Sequence, residues 1–127
     1  MSEFLQFELQ SVRDSRGELT VVQDVLPFDV RRIYWVTKAD GETRGGHRHH
    51  VTRQALVAVA GCIEVYVNDG SHEAAVCLNA PSRCLLVEPE DWHRTRFGIG
   101  AVLLVMASHA YDPSDYITQP YDTDYRQ

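Results

Sequence analysis

A chain of 127 residues is the size of one domain, and 44% apolar with 24% charged residues is an ordinary balance for a globular core. The net charge of −6 excludes a surface built for nucleic acid or anionic lipid, and no apolar run approaches the roughly 20 residues of a membrane helix. No charged leader followed by an apolar run opens the chain, so the expected compartment is the cytoplasm.

In chain order, short apolar runs alternate with turn signals and no segment carries a helical stripe, which is an all-β pattern. Strands are expected at 4–9, 18–24, 30–37, 47–50, 54–60, 62–68, 73–78, 83–88 and 101–107. The clusters Asp14-Ser15-Arg16-Gly17, Asp40-Gly41 and Asn68-Asp69-Gly70 supply residues that tolerate positive φ and mark turns. Gly61 interrupts a continuous β run and predicts a bulge or corner. Ala101 to Ala107 is apolar on both faces and is expected to be central; the polar, acidic tail from Tyr111 holds a short helical turn at Pro113 to Tyr116. Short strands at this spacing without α crossovers predict a sandwich or double-sheet jelly roll, one domain over 1–127. Cys62, Cys77 and Cys84, an odd number in apolar runs, read as small core residues.

The densest chemistry lies in Arg44-Gly45-Gly46-His47-Arg48-His49-His50, which holds three of the six histidines. Residues two apart on a strand share a face, so His47 and His49 present adjacent imidazoles and His50 points the other way. Six of the twelve basic residues (Arg31, Arg32, Lys38, Arg44, Arg48, Arg53) fall between positions 31 and 53, a local positive charge that suits an anionic ligand. His50, His72 and His109 carry no comparable pattern.

Paired imidazoles either hold a metal or move protons. His47, His49, Gln54 and Gly61 reproduce the spacing H-x-H-x4-[E/Q]-x6-G, which resembles the first signature of the cupin superfamily; Pro89 and His93 resemble part of the second. Gln54 stands where a metal-binding cupin has its carboxylate. A neutral amide is a poor transition-metal ligand, so neither metal nor cofactor is expected. Proton transfer remains: an imidazole pair sets a donor and an acceptor beside neighbouring carbons, and Arg44, Tyr34 and Gln54 are candidate donors to a developing enediolate.

The resemblance then becomes specific. Asp14-Ser15-Arg16-Gly17-Glu18-Leu19, Val30-Arg31-Arg32-Ile33-Tyr34, Arg44 to His49, Gln54, Gly61, Asn68-Asp69-Gly70, Pro89 with Trp92-His93, Ala107-Ser108, Tyr111-Asp112 and Asp115-Tyr116-Ile117 form an ordered series similar to the WxcM-like nucleotide-sugar 3,4-ketoisomerases of the cupin superfamily. The resemblance implies a double-stranded β-helix (cupin jelly roll). It implies conversion of dTDP-4-keto-6-deoxyglucose to a 3-keto-6-deoxyhexose that supplies a 3-amino-3,6-dideoxyhexose. By position, His47 and His49 match the catalytic histidines, Tyr34 and Arg44 match active-site groups, and Arg16 an arginine of the substrate pocket; Arg32, Gln54, Trp92 and His93 are the further substrate-binding candidates. Arg94 stands where an acidic residue is common and His50 where lysine is frequent. The resemblance also implies a homodimer with exchanged N-terminal strands, and residues 4–9 are apolar enough to need a partner. Three other readings stay open: a metal-dependent cupin enzyme, a non-catalytic sugar-binding module and a dTDP-sugar 3,5-epimerase.

Overall fold

A computed structural model describes residues 2–122. The strands are β1 (Gln6–Glu8), β2 (Gln10–Asp14), β3 (Gly17–Val21), β4 (Arg32–Val36), β5 (Thr43–His49), β6 (Gln54–Ala60), β7 (Ile63–Asn68), β8 (Glu73–Leu78), β9 (Arg83–Val87), β10 (Trp92–Phe97), β11 (Val102–Ala107) and β12 (Tyr116–Ile117). One 3-10 turn, Pro113–Asp115, sits where the helical turn was expected, capped by the Asp112 side chain accepting from the Ser114 N–H. Two five-stranded antiparallel sheets run β1-β9-β6-β11-β4 and β12-β5-β10-β7-β8, and among the described residues β2 pairs only with β3, as a separate hairpin. The architecture is the expected cupin jelly roll.

Period-2 patterning decides where the core lies. Leu56, Ala58, Ile63, Val65, Val67, Leu85, Val87, Phe97, Leu103 and Val105 face one another between the sheets and are buried. The opposite face of the first sheet is apolar as well: Ala55, Val57, Cys84, Leu86 and Met106 are covered by Phe7, Leu9, Leu26 and Phe28. That second layer is why β6 reads as a continuous apolar run rather than an alternating one. β11 is internal as expected, hydrogen-bonded to β4 on one side and β6 on the other. Gly61 makes the corner between β6 and β7 with φ +69°, and a Cβ there would lie 2.7 Å from Ala101 Cα.

Several elements differ from the sequence reading. The strand expected at 4–9 shrinks to β1, because Phe4 turns to φ +48° and plugs the core at 8% exposure. The region 18–24 is half of a hairpin whose other strand, β2, is exposed along its whole length and so carried no alternation to detect. β5 starts at Thr43 rather than at His47 and ends before His50. β10 was missed: its inward residues are His93, Thr95 and Phe97, so two of the three inward positions are polar and disguise the period. Cys62 and Cys77 are exposed, because the cupin sheet edge at β7 and β8 turns them outward; only Cys84 is a core cysteine, its thiol pushed up to about 12 by burial.

Candidate active site

Strands β4, β5, β6, β10 and β11 converge on a cavity of about 380 Å³ between the sheets. Its floor is apolar, from Leu56, Phe97, Leu103 and Val105; its polar wall is Arg32, Tyr34, Arg44, His47, Gln54, His93, Thr95 and Tyr116. The size suits a small organic ligand, with few convergent polar groups on an apolar bed.

The glycine pair sets the geometry. Gly45 and Gly46 take φ +86° and +81°, and a Cβ on Gly45 would lie 3.1 Å from the His93 carbonyl oxygen. β5 therefore approaches β10 more closely than most side-chained residues manage, at a register shift between His93 and Arg94. The result sets His47 directly opposite His93, with ring centroids 4.9 Å apart. His49 follows two residues later, 5.0 Å from His47 and 6.1 Å from His93. Tyr116, brought up by the β12–β5 pairing, lays its ring 4.6 Å from His47 and 4.8 Å from His49.

All three imidazoles are held neutral. Burial lowers His47, against a hydrogen bond to the Gly45 backbone. Burial and then His47 push His49 down to about 4, with Asp115 opposing. Burial, His47 and His49 push His93 down to about 3. The His93 Nδ1 sits 3.1 Å from the Asp91 carbonyl, which can only accept, so the proton resides on Nδ1 and Nε2 is the acceptor. His49 is 3% exposed and, among the described residues, neither ring nitrogen has a hydrogen-bond partner. A buried polar group left without a partner costs about 1–3 kcal/mol, which fits a group kept for a ligand. Burial, followed by Tyr116, raises Tyr34 above its ordinary value, against Gln54, Arg32 and Arg44. The Gln54 amide donates to Tyr34 Oη at 3.3 Å, and Arg32 stacks over Tyr34 at 4.4 Å and Tyr111 at 5.1 Å. The arrangement is neutral bases beside donors, suited to moving a proton next to a carbonyl.

Of the residues singled out in the sequence, His47, Tyr34, Arg44, Arg32, Gln54 and His93 line the cavity. His49 does not line it; it stands against His47 and Tyr116. Trp92 faces the other side of β10, where its Nε1–H donates to the Thr118 carbonyl at 3.1 Å. Arg16 sits at the tip of the β2–β3 hairpin, its side chain 88% exposed and paired with Asp14 at 2.6 Å, and is no part of the cavity of its own chain. The hairpin is a two-stranded sheet of its own, joined to neither five-stranded sheet. His50 is exposed and borders a separate surface crevice. Sequence reasoning missed Thr95 and Tyr116 as cavity residues; the only signal for Tyr116 was its place in the Asp115-Tyr116-Ile117 match.

Among the described residues no group of three or more His, Cys, Asp or Glu side chains is arranged to hold a metal ion. The model of the family described as FdtA: WxcM-like, C-terminal, matches residues 3–126. A TDP-4-oxo-6-deoxy-alpha-D-glucose-3,4-oxoisomerase from Aneurinibacillus thermoaerophilus is 36% identical over 117 residues, 89% of this chain and 84% of the relative. A 3,4-ketoisomerase from Helicobacter canadensis superposes with TM-score 0.88 at 30% identity, over 94% of this chain and 92% of the other. A histidine-to-asparagine mutant of the 3,4-ketoisomerase QdtA from Thermoanaerobacterium thermosaccharolyticum, in complex with TDP-4-keto-6-deoxyglucose, does so with TM-score 0.88 at 33% identity, over 94% and 90%. With a family model spanning nearly its whole length and a relative above 30% identity, the chain belongs to the FdtA (WxcM-like, C-terminal) family and is an isomerase.

Proposed function

We propose that the protein converts TDP-4-keto-6-deoxyglucose to a TDP-3-keto-6-deoxyhexose by a histidine-mediated, metal-free enediolate mechanism in the cytoplasm. The observation that carries the reading is the neutral imidazole pair His47 and His49, with His49 buried beside the cavity and both its ring nitrogens unpartnered among the described residues. The isomerisation removes the C3 proton of the 4-keto sugar and forms an enediolate across C3 and C4. C4 is then reprotonated while the C3 hydroxyl passes its proton to the C4 oxygen, leaving a carbonyl at C3 and a hydroxyl at C4. His49 is assigned as base and His47 completes the transfer, while Tyr34 and Arg44 donate to the developing oxyanion. Gln54 supports the metal-free reading: it holds the cupin ligand position, and its neutral amide is engaged with Tyr34.

Arg32, at the wall, suits the diphosphate. For Arg16 to reach the substrate it must come from a second copy, so the active form is assigned as a homodimer with exchanged N-terminal strands. In one chain β1 pairs Gln6 with Leu85, and exchange would make the same pairing between chains. The outward-facing Val12, Leu19, Ile33 and Trp35, at 54%, 59%, 56% and 66% exposure, offer the apolar area for the contact.

Incubation with TDP-4-keto-6-deoxyglucose in deuterated water tests the reaction. The expected product is a 3-keto sugar carrying deuterium at C4, read by NMR of the ring. Tight binding of the substrate with no change in its spectrum would make the protein a binding module instead. Deuterium at C3 and C5 with the 4-keto group retained would make it an epimerase.

A further inference from the structure

We infer that Asp115 is a positioning residue of this enzyme, fastening the turn that ends β5 and so the ring of His49. Asp115 is 7% exposed. Its Oδ1 accepts the backbone N–H groups of His50 at 3.1 Å and Val51 at 2.9 Å, and its Oδ2 accepts the Thr52 hydroxyl. The His50 N–H also lies 3.0 Å from the Asp115 carbonyl oxygen. One residue thus binds all three positions that follow His49. Its neighbour Tyr116 pairs with His49 in the β12–β5 register and closes over both imidazoles.

The same carboxylate is placed to act on charge. The titratable groups facing His49 are His47 on its own strand, His93 on β10, Tyr116 on β12 and Asp115. Only Asp115 among them favours an imidazolium, the state a base passes through once it has taken a proton. Burial raises the Asp115 carboxyl, but its bonds from Thr52, Val51 and His50 and the nearby His49 outweigh this and keep it below 3.8, hence anionic at neutral pH.

The assignment rests on His49 as proton carrier, so the test reads His49 apart from turnover. Asp115→Asn keeps the acceptor for the backbone N–H groups and removes the charge. In NMR titrations the His49 ring should protonate at lower pH than in the wild type. The kcat should fall about 10-fold or more with KM within about twofold, as for other carboxylates that orient a catalytic imidazole. Thr52→Val keeps the charge and loosens the turn; it should lower kcat at unchanged KM and leave the His49 titration in place. A His49 titration and kcat that are both unaltered in Asp115→Asn overturn the inference, as does wild-type kcat in Thr52→Val if the first variant fails to fold. A titration that moves in an enzyme whose His49→Asn variant is fully active upholds the coupling and overturns the role of His49.

A separate observation carries a second site. Cys62 and Cys77 are exposed, with sulfurs 3.1 Å apart on the outward side of the β7–β8 hairpin, away from the cavity. We propose that they are a dithiol–disulfide couple, oxidised by peroxide. The Cys77 sulfur takes an oxygen as the O–O bond breaks and water leaves. The Cys62 sulfur then displaces that oxygen as a second water, carrying off its own proton, and two electrons pass from the sulfurs to the peroxide. Stoichiometric peroxide on the folded protein should lower the count of titratable thiols, read after unfolding, from three to one. Peptide mapping without reductant should give a 62–77 cross-link that is absent from Cys77→Ser. Three thiols remaining, or a sulfinic acid at either cysteine without the cross-link, would overturn it.

Discussion

Replacing His49 with Asn removes the proposed base while leaving a side chain of similar reach. A burial-depressed imidazole near 4 is cationic in only about one molecule in a thousand at pH 7, so the wild-type base is fully available. The variant therefore shows the whole cost of losing general-base catalysis, about 10²- to 10⁴-fold in kcat. KM should change little, because the wall residues that hold the substrate are untouched. The assay is continuous NMR of substrate loss, with circular dichroism confirming the fold. His50→Asn is the internal control, its ring being exposed outside the cavity. The same depressed value sets the pH profile: protonation disables the base, so kcat/KM should stay level from pH 8 down to about 5 and fall only towards 4. A decline centred at 6.5, or a folded His49→Asn enzyme with more than a tenth of wild-type kcat, would refute the assignment. Equal losses in the His49 and His50 variants would refute the face assignment on which it stands.

Activity should survive chelation and dialysis, because Gln54 replaces a carboxylate ligand with a neutral amide; turnover restored only by one divalent ion would refute this. Asp91 is fully buried, and burial raises its carboxyl from 3.8 to about 6. The folded state thus binds the proton more tightly than the unfolded state, and this group lowers stability as pH rises from about 4 to 6 and stays unfavourable above. Asp91→Asn should therefore gain on the wild type across that window, by about 1–3 kcal/mol at pH 7.5 in urea unfolding; a difference independent of pH would contradict it. Gly61→Ala combines φ +69° with a Cβ 2.7 Å from Ala101 Cα. It should cost about 2–4 kcal/mol, or roughly 8 °C or more in Tm, and a loss under about 1 kcal/mol would mean the corner relaxes freely.

The all-β class, most strands and the Gly61 corner were legible because they follow from local period-2 patterning and turn chemistry, which need no knowledge of distant residues. The His47–His49 face was legible for the same reason. β10 was not, since its inward face is spent on the site: His93 and Thr95 occupy positions that a core strand gives to Val or Ile. The exposed β2 had no buried face to reveal it. The sequence by itself determined which chemistry was available: a same-face imidazole pair, a glycine pair before it, and an amide in place of a carboxylate. Only the tertiary structure decided which groups meet. Arg16 left the cavity of its own chain because its hairpin forms a sheet apart, while Tyr116 and Asp115, over sixty residues from His49, joined the site through a two-residue strand and a turn. Cross-strand register is a long-range choice made by the packing of the whole barrel, and with burial it sets the imidazole pKa values on which the chemistry depends.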